Sequence, residues 1–580
     1  MLHTINNTIL RRLLLLALLF PFSMLLVGQT LLINGEQPLI DKNTQIRYAT
    51  VKASNDDSLR VSFSYNNSAI VGEVKVCIDG KYYNLTDNMT VLANRNKHQL
   101  IAEYGEQKDT LDFVLTTLPL VTVDRKANRA FDLDSSTPTR FAIYDAEART
   151  EQKVQFNSNA NVSYRGATAS LMEKKSYKVE LVKEDDNNEE LEANLFGIRK
   201  SDSWILDAAA IDYSRIRNRL CTDIWNSMST LRDDDMKRNG TKGLYVELLV
   251  DSTYQGIYCF TDKINRSLLG LKKVKEDVNY DSAVRGILYK CKGNSFGTSY
   301  LTLPKVEWWQ PNTERWFDWF LKYPNDQFDD RSWEPLYNLI EHTNINSSAP
   351  DSVKAVTDCF YYKNFIEYAV FAMSMRLLDN VMHNTYLSVK NRNNSFQLWI
   401  TPWDMDGSFG RDGAAIVYDV PASSHHVFYQ CHPFAYYYDE QVQPFYDDFC
   451  ELTRQLHEPG QPLSFDVVSQ RVDDYVHTIE YSGSWQRECD RWSGMNNVWF
   501  NTPIILGASL KEETLFMKQW YKKNEDYLVT LKEVATNIKT PVTTPENHSI
   551  YLLNGVKVHA TSIEQLPHGI YIINGKKVIK

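Results

Sequence analysis

The hydrophobic pattern changes period at about Val123, and that change limits what the 580-residue chain can fold into. From about Leu31 to Thr122 apolar residues alternate in short runs separated by turn formers. Strands are predicted over Ser62–Tyr65, Glu73–Ile78, Lys81–Asn84, Gln99–Tyr104 and Thr110–Leu115. Asp79-Gly80 between two of these runs is a two-residue hairpin signal. This segment reads as a small antiparallel β-sandwich of immunoglobulin-like size. Beyond Val123, strands at Tyr177–Val182, Leu244–Val250 and Gly256–Thr261 alternate with helical stretches at Tyr213–Met228 and Val353–Met382. A strand follows around Gln397–Ile400 and further helix over Ser464–Leu531. The fold class is therefore α+β.

The two ends carry their own signals. Arg11-Arg12 precede an apolar run, Leu13 to Val27, closing at Gly28. It is shorter than a spanning helix needs and has the order of a signal peptide, so the chain is expected to be exported to the periplasm, the cell surface or the medium. At the other end Tyr551-Leu552-Leu553-Asn554-Gly555-Val556-Lys557-Val558 is echoed by Tyr571-Ile572-Ile573-Asn574-Gly575-Lys576-Lys577-Val578, each a hairpin with an Asn-Gly turn. A Pro- and Thr-rich linker, Thr540–Pro545, precedes them. The tail resembles a shortened C-terminal sorting or attachment domain of exported Bacteroidetes proteins, which implies cell-envelope or secretion partners. The expected organisation is a signal peptide over 1–28, the sandwich over 29–122, a main body over 123–539 and the linker and tail over 540–580.

Composition removes several functions. Acidic residues outnumber basic ones, 73 against 63, which argues against a general nucleic-acid binder. Eight cysteines contain no Cys-x-x-Cys pair, so no zinc ribbon is expected, and disulfide pairing is open. His425, His426, Cys431 and His432 cluster locally, but their intervals fit no usual ligand pattern and packing of an aromatic-rich loop is favoured.

The residues able to do chemistry gather in two stretches. Asp379-Asn380-Val381-Met382-His383-Asn384 places an Asp and an Asn five residues apart, the interval at which phosphoryl-transfer enzymes orient an acceptor hydroxyl and hold a divalent cation. Trp403-Asp404-Met405-Asp406-Gly407 then resembles a metal-carboxylate turn, its hard oxygens suited to Mg²⁺. Earlier, Tyr164-Arg165-Gly166-Ala167-Thr168 and Lys174-Lys175-Ser176-Tyr177-Lys178 offer cations near a glycine turn.

Five ordered motifs carry a resemblance to the CotH kinase family, the spore-coat-protein-H-like proteins with an atypical protein-kinase-like fold. They are the Arg165-Gly166 and lysine strand pair; Trp204-Ile205-Leu206 with Asp212, Ser214, Arg217, Asn218 and Leu220; the hairpin Val246–Val250 to Tyr254–Tyr258; Asp379-Asn380 with His383-Asn384; and Pro402-Trp403-Asp404 with Asp406, Ser408 and Gly410. The resemblance implies a kinase-like body that uses ATP and Mg²⁺ or Mn²⁺ to phosphorylate Ser or Thr of a protein. Carried over by position, it implies Asp379 as catalytic base and Asn384, Asp404 and Asp406 as metal ligands. Arg165 and Lys178 become phosphate contacts, with Lys175 the alternate lysine, and Arg217 and Asp262 belong to the ATP-binding set. Arg217 braces either the lysine strand or its carboxylate partner. Two departures stand out: the family often reads Arg-Gly-x-Ser-Thr where this chain has Arg165-Gly166-Ala167-Thr168-Ala169, and commonly Glu where this chain has Asp262. The competing expectation is a non-catalytic surface adhesin or scaffold built on the same body.

Overall fold

The computed structural model describes residues 29–54, 58–67, 74–84, 90–94, 96–184, 188–229, 239–275, 284–291, 315–316, 319–324, 330–343, 354, 357–380, 384–417, 427–428, 434–531, 550–552, 557–558, 570–573 and 576–579. The apolar run before Gly28, the histidine and cysteine cluster and both Asn-Gly turns lie outside these. Among the described residues no helix is long and apolar enough to cross a membrane. The chain divides into two compact units, 1–529 and 530–580.

The first unit begins with ten strands: β1 (Gln29–Ile33), β2 (Leu39–Ile40), β3 (Arg47–Thr50), β4 (Ser58–Val61), β5 (Phe63–Asn67), β6 (Lys75–Ile78), β7 (Lys81–Tyr83), β8 (Thr90–Ala93), β9 (His98–Tyr104) and β10 (Gln107–Thr116). They form a six-stranded sheet, β2-β3-β10-β9-β6-β7, and two pairs, β1-β5 and β4-β8. Alternate residues from all three point into one core of Leu31, Leu59, Val61, Phe63, Val76, Leu100 and Phe113. Asp79 and Gly80 both take positive φ, 51° and 85°, and close β6 onto β7 as the hairpin signal predicts. The pairing departs from the antiparallel expectation at one place, since β3 runs parallel to β10. The long intervening chain supplies the crossover that a parallel pair requires.

A closed seven-stranded barrel follows, built from β11 (Leu120–Arg125), β12 (Thr137–Tyr144), β13 (Gln155–Arg165), β14 (Ser176–Val182), β17 (Ser203–Asp207), β18 (Gly243–Val250) and β19 (Thr253–Asp262), with β15 (Ala193–Asn194) and β16 (Lys200–Ser201) as a side pair. Its order is β11-β12-β13-β14-β17-β19-β18, closed by parallel pairing of β11 with β18. The buried Trp204 stacks on Phe260 at 5.2 Å, and the ring of Phe141 lies tilted against Phe260 at 6.5 Å. The boundary expected after residue 122 falls within β11. The N-terminal strands also share a small core with the barrel, where Tyr48 stacks on Tyr254 at 4.9 Å beside Val114 and Leu249.

Helix α1 (Arg217–Ser229) leaves the barrel, and a second sheet follows in the order β21-β22-β20-β23-β24: β20 (Ile287–Cys291), β21 (Arg315–Trp316), β22 (Trp319–Tyr323), β23 (Thr385–Val389) and β24 (Trp399–Pro402). Around it lie α2 (Asp330–Thr343), the buried α3 (Tyr362–Met375), α4 (Phe434–Asp439), α5 (Phe445–Leu456), α6 (Phe465–Tyr481), α7 (Ser484–Trp492), a hairpin of β25 (Met495–Asn497) and β26 (Thr502–Ile504), and α8 (Leu510–Leu528). The register that matters is Thr385 opposite Pro402, because it brings the chain just before β23 beside the chain just after β24. The second unit holds four strands, β27 (Ile550–Leu552), β28 (Lys557–Val558), β29 (Ile570–Ile573) and β30 (Lys576–Ile579), paired antiparallel as β28-β27-β29-β30.

Candidate active site

Helix α3 ends where Arg376 turns into the left-handed region at φ 55°, and the reversal delivers Asp379 and Asn380 to the end of the second sheet. Asn380 is buried and acts as a clasp. It accepts from the Tyr368 hydroxyl at 2.8 Å, its amide donates to the carbonyls of Asn384 and Trp403, and its own carbonyl accepts from Thr385 Oγ1 at 2.6 Å. Those four bonds fix the loop after α3 against the chain leaving β24. Asn384 Nδ2 consequently donates to Asp379 Oδ2 at 2.9 Å, so the Asp and Asn five residues apart in sequence do meet.

The second acidic turn starts at Asp404, which takes φ 60°, a conformation Asp tolerates better than most residues. Met405 N donates to Asn218 Oδ1 at 3.1 Å, and Asn218 Nδ2 donates to Asp207 Oδ2 at 2.9 Å. The end of β17 is thereby tied to the turn. Gly407 is required by packing: a Cβ there would stand 2.7 Å from Gly413 N, where the following loop crosses the turn. A Cβ on Gly413 would in turn lie 3.1 Å from Asp379 Oδ2. Two glycines thus let three backbone segments close around the carboxylates.

Charge in this corner is poorly balanced. Burial pushes the Asp404 carboxyl up from its ordinary value; Arg165 and Lys290 oppose that, while Asp207 and Asp379 add to it. Asp406 is pushed well above its ordinary value by burial, then by Asp404, Asp379, Asp207 and Asp212, all in the same direction. Like charges at short range are tolerated when a cation sits among them. Among the described residues no three His, Cys, Asp or Glu side chains converge to hold an ion by themselves. The donors nonetheless suit a hard divalent cation, since Mg²⁺ is commonly held by one or two carboxylates with phosphate oxygens completing its shell.

Two cations face this corner across one ring. The Arg165 guanidinium lies 5.4 Å from the centre of the Trp403 ring and the Lys290 ammonium 5.9 Å from it, with Tyr386 a further 5.3 Å neighbour of Lys290. Neither makes an ion pair among the described residues. Burial and then Arg165 lower the Lys290 ammonium to about 8, against the pull of Asp404. Lys290 was missed in the sequence, although a lone lysine within Ile287-Leu288-Tyr289-Lys290-Cys291 was a usable signal. Asp207 was missed as well, one residue past Trp204-Ile205-Leu206.

The other expected residues are each engaged with a partner of their own. Lys178 on β14 pairs with Glu180 at 2.5 Å. Lys175 donates to the Ser170 carbonyl at 2.7 Å. Asp262 is buried against Arg199 at 2.6 Å. Arg217 is fully buried behind the second turn, bonded to Asp212 at 2.6 Å, to Glu513 at 2.6 Å and to the Ser408 carbonyl at 3.1 Å. These partners are neither the lysine strand nor the carboxylates that pair with its lysines, Glu180 and Glu488.

The family model for CotH kinase protein matches residues 162–528. The chain belongs to the CotH kinase family. The match opens near the end of β13, closes with α8 and spans every residue of the corner just described, while the strands before β13 and the residues after 528 lie outside it. Comparison with curated proteins gives no match. Family membership brings with it a kinase-like character.

Proposed function

We propose that this member of the CotH kinase family transfers the γ-phosphoryl group of ATP to a Ser or Thr hydroxyl of a protein, on a body of atypical kinase-like arrangement. The observation that carries the reading is the Asp379–Asn384 hydrogen bond set beside the under-neutralised pair Asp404 and Asp406. Asp379 orients the acceptor hydroxyl and takes its proton as the new O–P bond forms and the bond to the β-phosphate oxygen breaks. Asn384, Asp404 and Asp406 hold Mg²⁺ or Mn²⁺, which supplies charge neutralisation at the phosphates. Arg165 and Lys290 face the phosphate oxygens. Asn218 and Arg217 position the acidic turn, Lys178 and Lys175 remain further candidates for phosphate contact, and Asp262 anchors β19 through Arg199. The apolar run Leu13–Val27 supports export, and the paired C-terminal hairpins support attachment to an envelope or secretion partner.

The test is calorimetric titration of the protein with a non-hydrolysable ATP analogue, with and without Mg²⁺ or Mn²⁺, beside the Asp404→Ala variant. Metal-dependent binding that the variant loses is the expected result. Absence of binding under either metal would overturn the reading in favour of a non-catalytic surface scaffold. Asp379→Asn is expected to keep nucleotide binding and lower turnover by about 10²–10⁴-fold, the usual weight of a general base.

A further inference from the structure

The loop that crosses Gly407 continues into an apolar surface that no element of the described fold covers. Residues 411–417 form a pinned turn: Asp412 Oδ1 accepts from Ala414 N at 3.0 Å and Ile416 N at 2.8 Å, Asp412 N donates to the Ile416 carbonyl, and Arg411 donates to the Ala415 carbonyl at 2.8 Å. Arg411 is itself gripped by Glu513 through two bonds. Such a turn has its apolar ends held outward by structure. Ile416 is 44% exposed and Val417 49%.

The tip of the β25–β26 hairpin adjoins it. Asn497 Nδ2 donates to the Ala414 carbonyl at 3.0 Å, and Asn497 Oδ1 accepts from Trp499 N at 2.9 Å, so one side chain both shapes the tip and fastens it to the pinned turn. The tip carries Val498, Trp499 and Phe500 in succession, 37%, 57% and 49% exposed. Adjacent exposed aromatic and branched side chains of this kind mark interaction surfaces more often than chance.

Position decides the occupant. Gly413, in the middle of the pinned turn, is the residue packed against the Asp379 carboxylate. The turn that presents the shelf at Ile416 and Val417 is therefore the same turn that packs against the proposed base three residues earlier. We propose that Ile416, Val417 and the Val498–Phe500 tip seat an apolar segment of the acceptor protein, close in sequence to the Ser or Thr that is phosphorylated. The proposal rests on the phosphotransfer reading and adds to it the chemistry of the acceptor.

Fluorescence anisotropy on the full chain tests it with two labelled peptides. One carries a serine flanked on both sides by Leu, Ile and Phe; in the other those flanks are Ser, Asn and Gly. The apolar-flanked peptide is expected to bind about tenfold more tightly, and the Trp499→Ser/Phe500→Ser variant to lose that margin, as loss of central aromatic anchors does. Equal affinity for the two peptides, or an unchanged margin in the variant, overturns the proposal. So does a shelf that instead serves as a membrane or self-contact: co-sedimentation with phosphatidylglycerol–phosphatidylethanolamine vesicles, or concentration-dependent dimerisation, in either case abolished by the same variant. Titration with the ATP analogue and Mg²⁺ separates the two levels, since its failure in the parent strikes the phosphotransfer reading while the peptide comparison still decides the shelf.

Discussion

Two buried ionic regions of the same unit are built on opposite principles. Where α7 meets the barrel, Glu488 accepts from Lys174 at 2.7 Å, Arg215 at 2.8 Å and Ile257 N at 2.8 Å, and its neighbour Arg487 grips Glu247 through two bonds of 2.8 Å. Burial alone would raise the Glu488 carboxyl, but Lys174 and Arg215 outweigh it and hold it below its ordinary value. At the Asp404–Asp406 turn the same burial meets more carboxylates, and the balance runs upward. Burial is common to both regions; charge balance is what differs. A closed set of charges locks elements together, whereas an open set of one sign leaves electrostatic energy for whatever cation enters.

The largest expected effect breaks the closed set. Glu488→Ala strands Lys174 and Arg215 in the interior, and unpairing buried charges typically costs about 3–5 kcal/mol. Urea denaturation followed by circular dichroism should show that loss; a change below about 1 kcal/mol would mean that the α7 contact is not a lock.

A smaller effect separates two lysines on neighbouring sheets. Lys290 faces the open set with no ion pair among the described residues, while Lys178 is already committed to Glu180. Lys290→Met is expected to weaken binding of the ATP analogue with Mg²⁺ by about tenfold, and Lys178→Met by less than about twofold, since an exposed pair contributes little. The reverse order in calorimetry would return the phosphate contact to the β14 strand.

Much of this contrast was legible in the sequence, and the remainder shows where pattern reading stops. Asp379 and Asn384 declare themselves because they stand five residues apart in sequence, and local spacing survives folding. Asp79-Gly80 does so for the same reason. Glu488 could not have been read as the partner of Lys174, because 314 residues separate them and only barrel closure brings α7 to β19. Closure itself depends on β11 pairing in parallel with β18, a contact with no local signature. Lys290 was obscured by its setting, since an apolar strand with a single charge reads first as a packed strand. Strands β1 to β4 and β8 are short, and alternation over two to five residues rarely stands out from its surroundings.

The smallest effect is also the one with the most specific sign. Because the folded-state values of Asp404 and Asp406 are raised, these groups favour the folded chain when protonated. Their contribution is present below the ordinary carboxylate value and is lost as pH rises through the raised one. Glu488 and Asp212 behave in reverse. For Asp212 burial again opposes ionisation, but Arg217 outweighs it, so both groups stabilise the fold above the ordinary carboxylate value and lose that contribution as pH falls through their lowered ones. The metal-free protein should therefore lose stability on both flanks, from different residues. Asp406→Asn removes one repelling charge and should stabilise the metal-free protein by on the order of 1 kcal/mol at mildly alkaline pH, with almost no effect at mildly acidic pH. Adding Mg²⁺ should raise the stability of the parent and leave that of the variant little changed. Urea midpoints at the two pH values, with and without Mg²⁺, measure all four corners. A variant less stable than the parent in the absence of metal would show that Asp406 is held by bonds rather than strained by its neighbours, and the open set would then be as closed as the one around Glu488.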